Sequence, residues 1–252
     1  MTSPGQLADY PSPHVAVDLV LLTLAPTSDT IADERRTHPL TLCVVTLPGP
    51  DGQPALPGRF VRESETIQTT VAELLETKLG YRASRLPALH PLGVYDAPGR
   101  DPRGWTMSVA HATALPRGTA EQLAPGVRLL PVAGPADRGL RVTDEGLAYD
   151  HDEMVTTAVR RMRRRYERRP DPDGLLTPPF TLRQLRGAHE AVLDARLRPD
   201  TFARRMREGL APARDRDGRE LLTSAGVGRP AQLFHRVQTA STEPLSLPRS
   251  HP

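Results

Sequence analysis

The spacing of hydrophobic positions in residues 14–150 predicts a β-sheet with at least one helix packed on it. Apolar runs bounded by turn-forming residues are typical of strands, whereas residues 66–79 repeat apolar side chains at helical intervals and stop at Gly80. The predicted strands cover residues 15–24, 39–47, 89–95, 105–114 and 127–131, and a short extended segment covers residues 56–62.

Residues 151–237 show a different order of elements. Three helical segments come first and two apolar runs joined by a charged turn follow, at residues 150–169, 181–193, 199–208, 210–214 and 232–237. Two helices joined by a short turn and followed by two strands are typical of a winged helix-turn-helix, which we place at residues 171–237. Residues 151–170 would form a linker helix, and the predicted fold class is α+β.

The chain termini and the composition indicate a protein of the cytoplasm. Residues 1–13 and 238–252 are polar and rich in proline, so we expect two disordered tails. No apolar run approaches the roughly 20 residues of a membrane span, and the N-terminus lacks the pattern of a signal peptide. The single Cys43 allows no internal disulfide.

Charge is distributed unevenly along the chain. Residues 1–150 carry 13 basic and 17 acidic side chains, a balance of −4, whereas residues 151–252 carry 20 and 13, a balance of +7. Many of these arginines lie on one side of the predicted helix at 150–169. The imbalance favours a polyanion as the partner of the second domain, although a charge run alone is more often simply a solvated face.

Residues 56–65, the helix after them and Gly80 resemble a Nudix box. The start at Pro57-Gly58, Glu65 and Leu75 all fall at the spacing of that pattern. In the Nudix family, glutamates three and four residues apart on this helix hold Mg²⁺ ions, which activate water against a pyrophosphate. The resemblance implies a Nudix-like mixed sheet with packed helices over residues 14–150.

The metal-binding glutamates of that pattern are replaced in this chain. Leu74 and the pair Thr77-Lys78 stand at glutamate positions, Glu73 stands at the family's arginine, and Arg59 replaces a loop glycine. Leucine cannot bind a metal, and lysine adds a positive charge where Mg²⁺ would lie. We therefore expect no catalytic residues and no metal site.

A second segment, residues 93–109, resembles the loop and strand of Nudix proteins that act on ADP-ribose and similar sugar nucleotides. Its most specific part is residues 100–104, where two guanidinium groups suit the oxygens of a pyrophosphate, although a solvated Arg/Asp turn is the alternative. Trp105 after this loop could stack on an adenine. The predicted ligand-binding residues are Arg59, Glu65, Arg100, Asp101, Arg103 and Trp105.

Residues 180–193, 228–234 and 147–152 resemble the winged helix and linker of one family, the Nudix-related transcriptional regulators of NAD metabolism. The resemblance covers roughly residues 14–236. It implies a Nudix-like domain that binds ADP-ribose without turnover and forms a homodimer, and paired winged helices that bind a palindromic double-stranded operator as a repressor. Ligand binding would then be the switch for DNA release, and no cofactor would be required.

The winged helix offers a defined set of residues for contacts with DNA. The first turns of its second helix would meet base edges in the major groove, and its wing would meet phosphates or the minor groove. Asp200 stands where the family usually has basic residues and an Asn, so the resemblance does not extend to the operator sequence or the regulated genes. The predicted DNA-binding residues are Arg183, Arg198, Thr201, Arg204, Arg205, Arg214, Arg216 and Arg229.

Two other functions remain open from the sequence. The first is a Nudix hydrolase acting on a nucleoside diphosphate derivative with an atypical metal site built from Glu63, Glu65 and Glu76. The second is a scaffold that binds neither nucleotide nor DNA. His151 between Asp150 and Asp152 resembles a metal cluster in composition only, and helix capping better explains the two aspartates.

Overall fold

The computed structural model describes residues 10–27, 40–134, 142, 146–223 and 230–237. Most of the predicted N-terminal tail, the whole C-terminal tail and Arg229 lie outside the described residues. The first domain contains seven strands and one α-helix among these residues: β1 (His14–Pro26), β2 (Leu40–Pro48), β3 (Pro54–Ala55), β4 (Gly58–Phe60), α1 (Ile67–Leu79), β5 (His90–Tyr95), β6 (Thr106–Ala114) and β7 (Arg128–Pro131).

Strand β1 is the centre of a mixed sheet. It pairs antiparallel with β2 and β4 and parallel with β6, which in turn pairs antiparallel with β5. The order is β3-β2-β1-β6-β5, with β4 on β1 and β7 on β2. The mixed sheet predicted from the sequence is confirmed. Because both faces of this sheet are covered, β1 is buried along nearly its whole length.

Helix α1 covers one face of the sheet. The Thr66 side chain accepts a hydrogen bond from Thr69 N, and the Thr69 side chain accepts one from Thr66 N, which forms a capping box. Gly80, at a φ of 62°, ends the helix. The predicted helix is therefore confirmed at both ends. Its buried face packs against β1 through Val71, Leu74, Leu75 and Leu79.

The second part of the chain contains three α-helices and three strands among the described residues. They are α2 (His151–Tyr166), β8 (Phe180–Thr181), α3 (Leu182–Leu193), α4 (Pro199–Met206), β9 (Leu210–Pro212) and β10 (Leu233–Arg236). The strands form a small sheet in the order β8-β10-β9 beside α3 and α4, which is the predicted winged helix-turn-helix arrangement.

Helix α2 lies in a hydrophobic core that both domains share. Its Met154, Val159 and Met162 pack in the same cluster as Val20 and Leu22 of the large sheet. That cluster continues without a break into the winged helix through Leu185, Val192, Phe202 and Phe234. The helix is therefore an internal layer of one core rather than an exposed connector.

Two arginines of α2 bind backbone carbonyls, and one of them connects the two domains. Arg163 is buried and donates to the carbonyl oxygens of Val192 (2.8 Å) and Gly134 (2.9 Å). Arg161 donates to the carbonyls of Pro91 and Leu92 at the edge strand β5. Some of the basic side chains behind the positive charge of the second domain are thus used for structural contacts within the protein. Within the described ranges, no helix is long and apolar enough to cross a membrane.

Candidate ligand cavity and nucleic-acid interface

A cavity of about 700 Å³ opens between the end of β2, β4, the loop before β6 and the start of α2. Pockets of roughly 300–1,000 Å³ hold ligands of drug or cofactor size, so a nucleotide would fit. The lining is strongly charged, and its ionisable members are Asp18, Arg59, Arg62, Lys78, Arg100, Asp101, Arg103, Tyr149 and His151.

The floor of the cavity is the buried carboxylate of Asp18 on β1. Ser108 Oγ donates to it at 2.7 Å, and His151 Nε2 lies 3.7 Å away. Burial alone would raise the pKa of Asp18, but His151, Ser108 and the Arg100 charge together hold it below its ordinary value. A Cβ at Gly58 would overlap Asp18 Oδ1, so glycine allows β4 to approach this carboxylate.

Arg100 connects the cavity to α2. Its guanidinium donates to both carboxylate oxygens of Asp150 at 2.8 and 2.6 Å, and it lies 3.6 Å from Asp18 Oδ2. Asp150 occupies the N-cap position of α2 but makes no side-chain capping bond. The capping explanation of Asp150 was therefore wrong, because the carboxylate binds Arg100 instead. Asp152 accepts a hydrogen bond from Leu147 N at 2.8 Å.

His151 has a defined role in the cavity wall. Its Nδ1 accepts the backbone N–H of Leu56 at 2.9 Å, which leaves the ring proton on Nε2, the nitrogen that faces Asp18. The described residues contain no group of three or more His, Cys, Asp or Glu side chains that could hold a metal ion.

Arg103 lies at the mouth of the cavity with its side chain 62% exposed. Its guanidinium donates to both oxygens of Asp101 at 2.9 and 2.7 Å. The same group lies over the rings of Phe60 and Tyr149, 5.4 and 5.6 Å from their centroids. A cation between two aromatic rings offers both phosphate and base contacts to a nucleotide.

Two glutamates of the segment that resembles a Nudix box, Glu65 and Glu73, are bound by one arginine. Arg59 donates to both oxygens of Glu65 at 2.7 and 2.8 Å and to Glu73 at 2.6 Å. These contacts, led by the Arg59 hydrogen bonds, lower the pKa of Glu65 to about 2. The family pattern has its arginine on the helix, where this chain has Glu73, and here the arginine lies in the loop at Arg59. The two carboxylates are thus already neutralised in the folded protein.

Lys78 and Leu74 stand at positions where the Nudix pattern has metal-binding glutamates. Leu74 is fully buried in the core beneath α1. Lys78 lines the cavity, and its Nζ donates to the Gly58 carbonyl. Burial and the charges of Arg59 and Arg103 lower its pKa, against the opposing effect of Asp18. The residues present do not fit a divalent cation, because a lysine occupies the position and an arginine binds the nearby glutamates.

Four of the six predicted ligand-binding residues line the cavity. They are Arg59, Arg100, Asp101 and Arg103. Glu65 lies behind Arg59, and Trp105 is 57% exposed outside the lining. The sequence prediction missed Asp18, Arg62, Tyr149 and His151 and treated Lys78 only as a lost metal ligand. An aspartate inside an apolar strand was the available signal for Asp18.

Helix α4 presents a polar face to solvent. Phe202 and Met206 are buried, whereas Thr201, Arg204 and Arg205 are exposed on the other side. Arg198, immediately before the helix, is also exposed. This face is available to a DNA major groove.

The remaining predicted DNA residues lie on the wing and on α3. Arg214 donates to the Gly218 carbonyl at 2.8 Å and pairs with Glu220, which shapes the turn after β9. Arg216 is exposed in the same turn. Arg183 is exposed on α3, where it lines a separate cavity of about 320 Å³ together with Arg117.

No family model matches the sequence. Among curated proteins, the chain is 26% identical over 233 residues to the ADPR responsive transcriptional repressor NtrR of Acinetobacter baylyi, covering 91% of this chain and 84% of that protein. Fold and cavity define a Nudix-like domain joined to a winged helix. Within that class the chain is similar to the NrtR regulators over both domains, as the sequence predicted.

Solved structures support the same conclusion. Shewanella oneidensis NrtR is 26% identical with a TM-score of 0.63, covering 88% of this chain and 94% of that one. The same protein complexed with a 27mer DNA is 25% identical with a TM-score of 0.63, covering 88% and 93%. A MutT/nudix family protein from Enterococcus faecalis, 18% identical with a TM-score of 0.64 over 92% and 90%, has the same fold.

Proposed function

We propose that this protein is a DNA-binding transcriptional repressor whose Nudix-like domain senses ADP-ribose or a related nucleotide without hydrolysing it. The observation that carries the proposal is the charge pattern of the cavity. Arginines and a lysine line it, and Glu65 and Glu73 of the segment that resembles a Nudix box are bound by Arg59. Similarity to an ADPR responsive repressor over 91% of the chain supports the same function.

The chemistry of the cavity suits a nucleoside diphosphate. Arg103 offers a planar cation to phosphate oxygens, and the rings of Phe60 and Tyr149 beside it offer stacking surfaces to a base. Asp18 and Asp101 can accept hydrogen bonds from ribose hydroxyls. Thermal denaturation with ADP-ribose, AMP and ribose 5-phosphate tests this assignment, and we expect the largest shift with ADP-ribose.

The exposed face of α4 and the wing would bind operator DNA, with two copies of the chain on a palindrome. A selection of bound fragments from sheared genomic DNA, repeated with and without ADP-ribose, tests both halves of the proposal. We expect specific fragments at moderate salt and their loss when ADP-ribose is added. Retention of no specific fragment across the genomic pool would contradict DNA regulation, and retention unaffected by ADP-ribose would contradict sensing.

Lack of turnover is also part of the proposal. Hydrolysis at a Nudix box needs glutamates free to bind Mg²⁺, and here Glu65 and Glu73 are bound to Arg59. Incubation of ADP-ribose with the protein and Mg²⁺ should release no AMP above a protein-free blank. Steady release that disappears in Glu65→Gln would instead favour a hydrolase with an atypical metal site.

A further inference from the structure

Lys78 differs from three other cations of the cavity, Arg59, Arg100 and Arg103, in its partners. Arg59 is paired with Glu65 and Glu73. Arg100 is paired with Asp150, and Arg103 with Asp101. Among the described residues, the hydrogen bond that the Lys78 ammonium makes is to a neutral group, the carbonyl of Gly58. An ammonium has three N–H donors, so two remain for an anion in the cavity.

The electrostatics around Lys78 also favour an anion. Partial burial lowers the pKa of Lys78 most, the charges of Arg59 and Arg103 lower it further, and Asp18 opposes them. These cations repel one another when no ligand is bound. A diphosphate placed between them would relieve that repulsion and raise the Lys78 pKa again.

A Nudix domain ordinarily brings Mg²⁺ to this wall of the cavity, where the metal neutralises a pyrophosphate. Here the local carboxylates Glu65 and Glu73 are bound by Arg59, and Lys78 stands on the same helix at a former glutamate position. The positive charge at this wall is thus supplied by a side chain, the Lys78 ammonium, and not by a metal ion. We propose that the Lys78 ammonium takes the place of the divalent cation, so that the diphosphate of the effector binds directly and without metal.

This inference rests on the proposed function, since it requires a nucleoside diphosphate in the cavity. It predicts two properties of binding. The affinity for ADP-ribose should be the same in EDTA and in Mg²⁺, and binding should take up protons at alkaline pH, where the lowered pKa of Lys78 leaves it partly neutral before the ligand arrives.

Calorimetric titration of the full chain with ADP-ribose tests the inference. We expect the wild-type affinity in EDTA and in Mg²⁺ to agree within about two-fold, and Lys78→Gln to lose about 10- to 100-fold, as for a charge-assisted hydrogen bond. Lys78→Arg should retain most of the affinity. Arg82→Gln is the matched control, because it removes one exposed positive charge of the same domain outside the cavity lining. Melting temperatures of all variants verify folding.

The outcomes separate the two proposals. If the wild-type protein binds ADP-ribose only when Mg²⁺ is present, or if Lys78→Gln binds as tightly as Arg82→Gln, the metal replacement is overturned and the sensor function stands. If the wild-type protein binds ADP-ribose under neither condition, the proposed effector is overturned and the role of Lys78 with it. Proton uptake can be measured by repeating the wild-type titration in two buffers of different ionisation enthalpy.

Discussion

Arg100 and Asp150 form a two-point ion pair across 50 residues of sequence, with nitrogen–oxygen distances of 2.8 and 2.6 Å. Arg100 lies in the loop that follows β5, and its side chain is only 4% exposed. Asp150 is the residue immediately before α2. The pair therefore ties a cavity loop to the beginning of the helix that both domains bury.

Loss of this ion pair should destabilise the protein. Asp150→Asn leaves a buried guanidinium with a weaker partner, and we expect the free energy of unfolding to fall by about 1–3 kcal/mol. Asp18, 3.6 Å away, limits the loss. Urea denaturation followed by circular dichroism measures it. Asp96→Asn in the same loop removes an exposed carboxylate and should leave the midpoint unchanged; equal midpoints for both variants would show that the pair contributes nothing.

Gly58 should not tolerate a side chain. A Cβ there would overlap Asp18 Oδ1, so Gly58→Ala must displace either β4 or the buried carboxylate. We expect a cost of about 1–3 kcal/mol in unfolding free energy, as for overpacking. Gly187→Ala is the control: it lies inside α3, its Cβ meets nothing within 4 Å, and it should gain up to about 1 kcal/mol from helix propensity. A neutral Gly58→Ala would mean that Asp18 is free to move.

The buried imidazole of His189 should make the winged helix sensitive to acid. Its Nε2 accepts the N–H of Asp171 at 3.1 Å, and burial lowers its pKa from 6.5 to about 4. Between about pH 4 and pH 6.5, His189 is therefore protonated in the unfolded chain and neutral in the folded chain. Stability attributable to His189 is intact above pH 6.5 and falls as the pH drops towards 4, by about 2 kcal/mol at pH 5.

His189→Gln isolates this effect. Glutamine retains an acceptor for Asp171 N but does not titrate, so its stability should fall less between about pH 7 and pH 5 than that of the wild type. The pKa of Asp171 itself is raised by burial and titrates in both proteins, so the difference between the two curves reports His189. Parallel curves from chemical denaturation at each pH would exclude His189 as the source of acid sensitivity.

Substitutions at two exposed positions of the winged helix should have different effects, one on sequence preference and the other on overall DNA affinity. Thr201 is exposed at the start of α4 and Arg216 in the wing turn. Thr201→Ala should change the preferred operator sequence. Arg216→Ala should weaken binding to all sequences and reduce the slope of log affinity against log salt concentration by about one. Fluorescence anisotropy over a salt series, on the selected operator and on its mutated versions, measures both. Identical effects of the two changes would place the recognition helix elsewhere.

Local signals made much of the fold predictable. Gly80 marks the end of α1, Thr181 marks the start of α3, and a continuous apolar run predicts β1. The site was harder to predict because its contacts are distant in sequence. Ser108 reaches Asp18 across 90 residues, and Asp150 reaches Arg100 across 50, so no local pattern pairs them.

The sequence could not show which arginines of α2 face solvent. Arg163 is buried against backbone carbonyls of both domains. Arg59 and Glu73 were seen as departures from a motif, and only the folded chain shows that they bind each other. The two substitutions therefore form an ion pair with each other across fourteen residues of sequence.

The hydrophobic core that runs through α2 has a consequence for heat and for proteases. Two domains with entirely separate cores can melt in two steps and be cut apart, whereas two domains that share a hydrophobic cluster are expected to melt together. Under the proposed function, a nucleotide bound in the cavity would therefore also raise the melting temperature of the winged helix, which lines the same core.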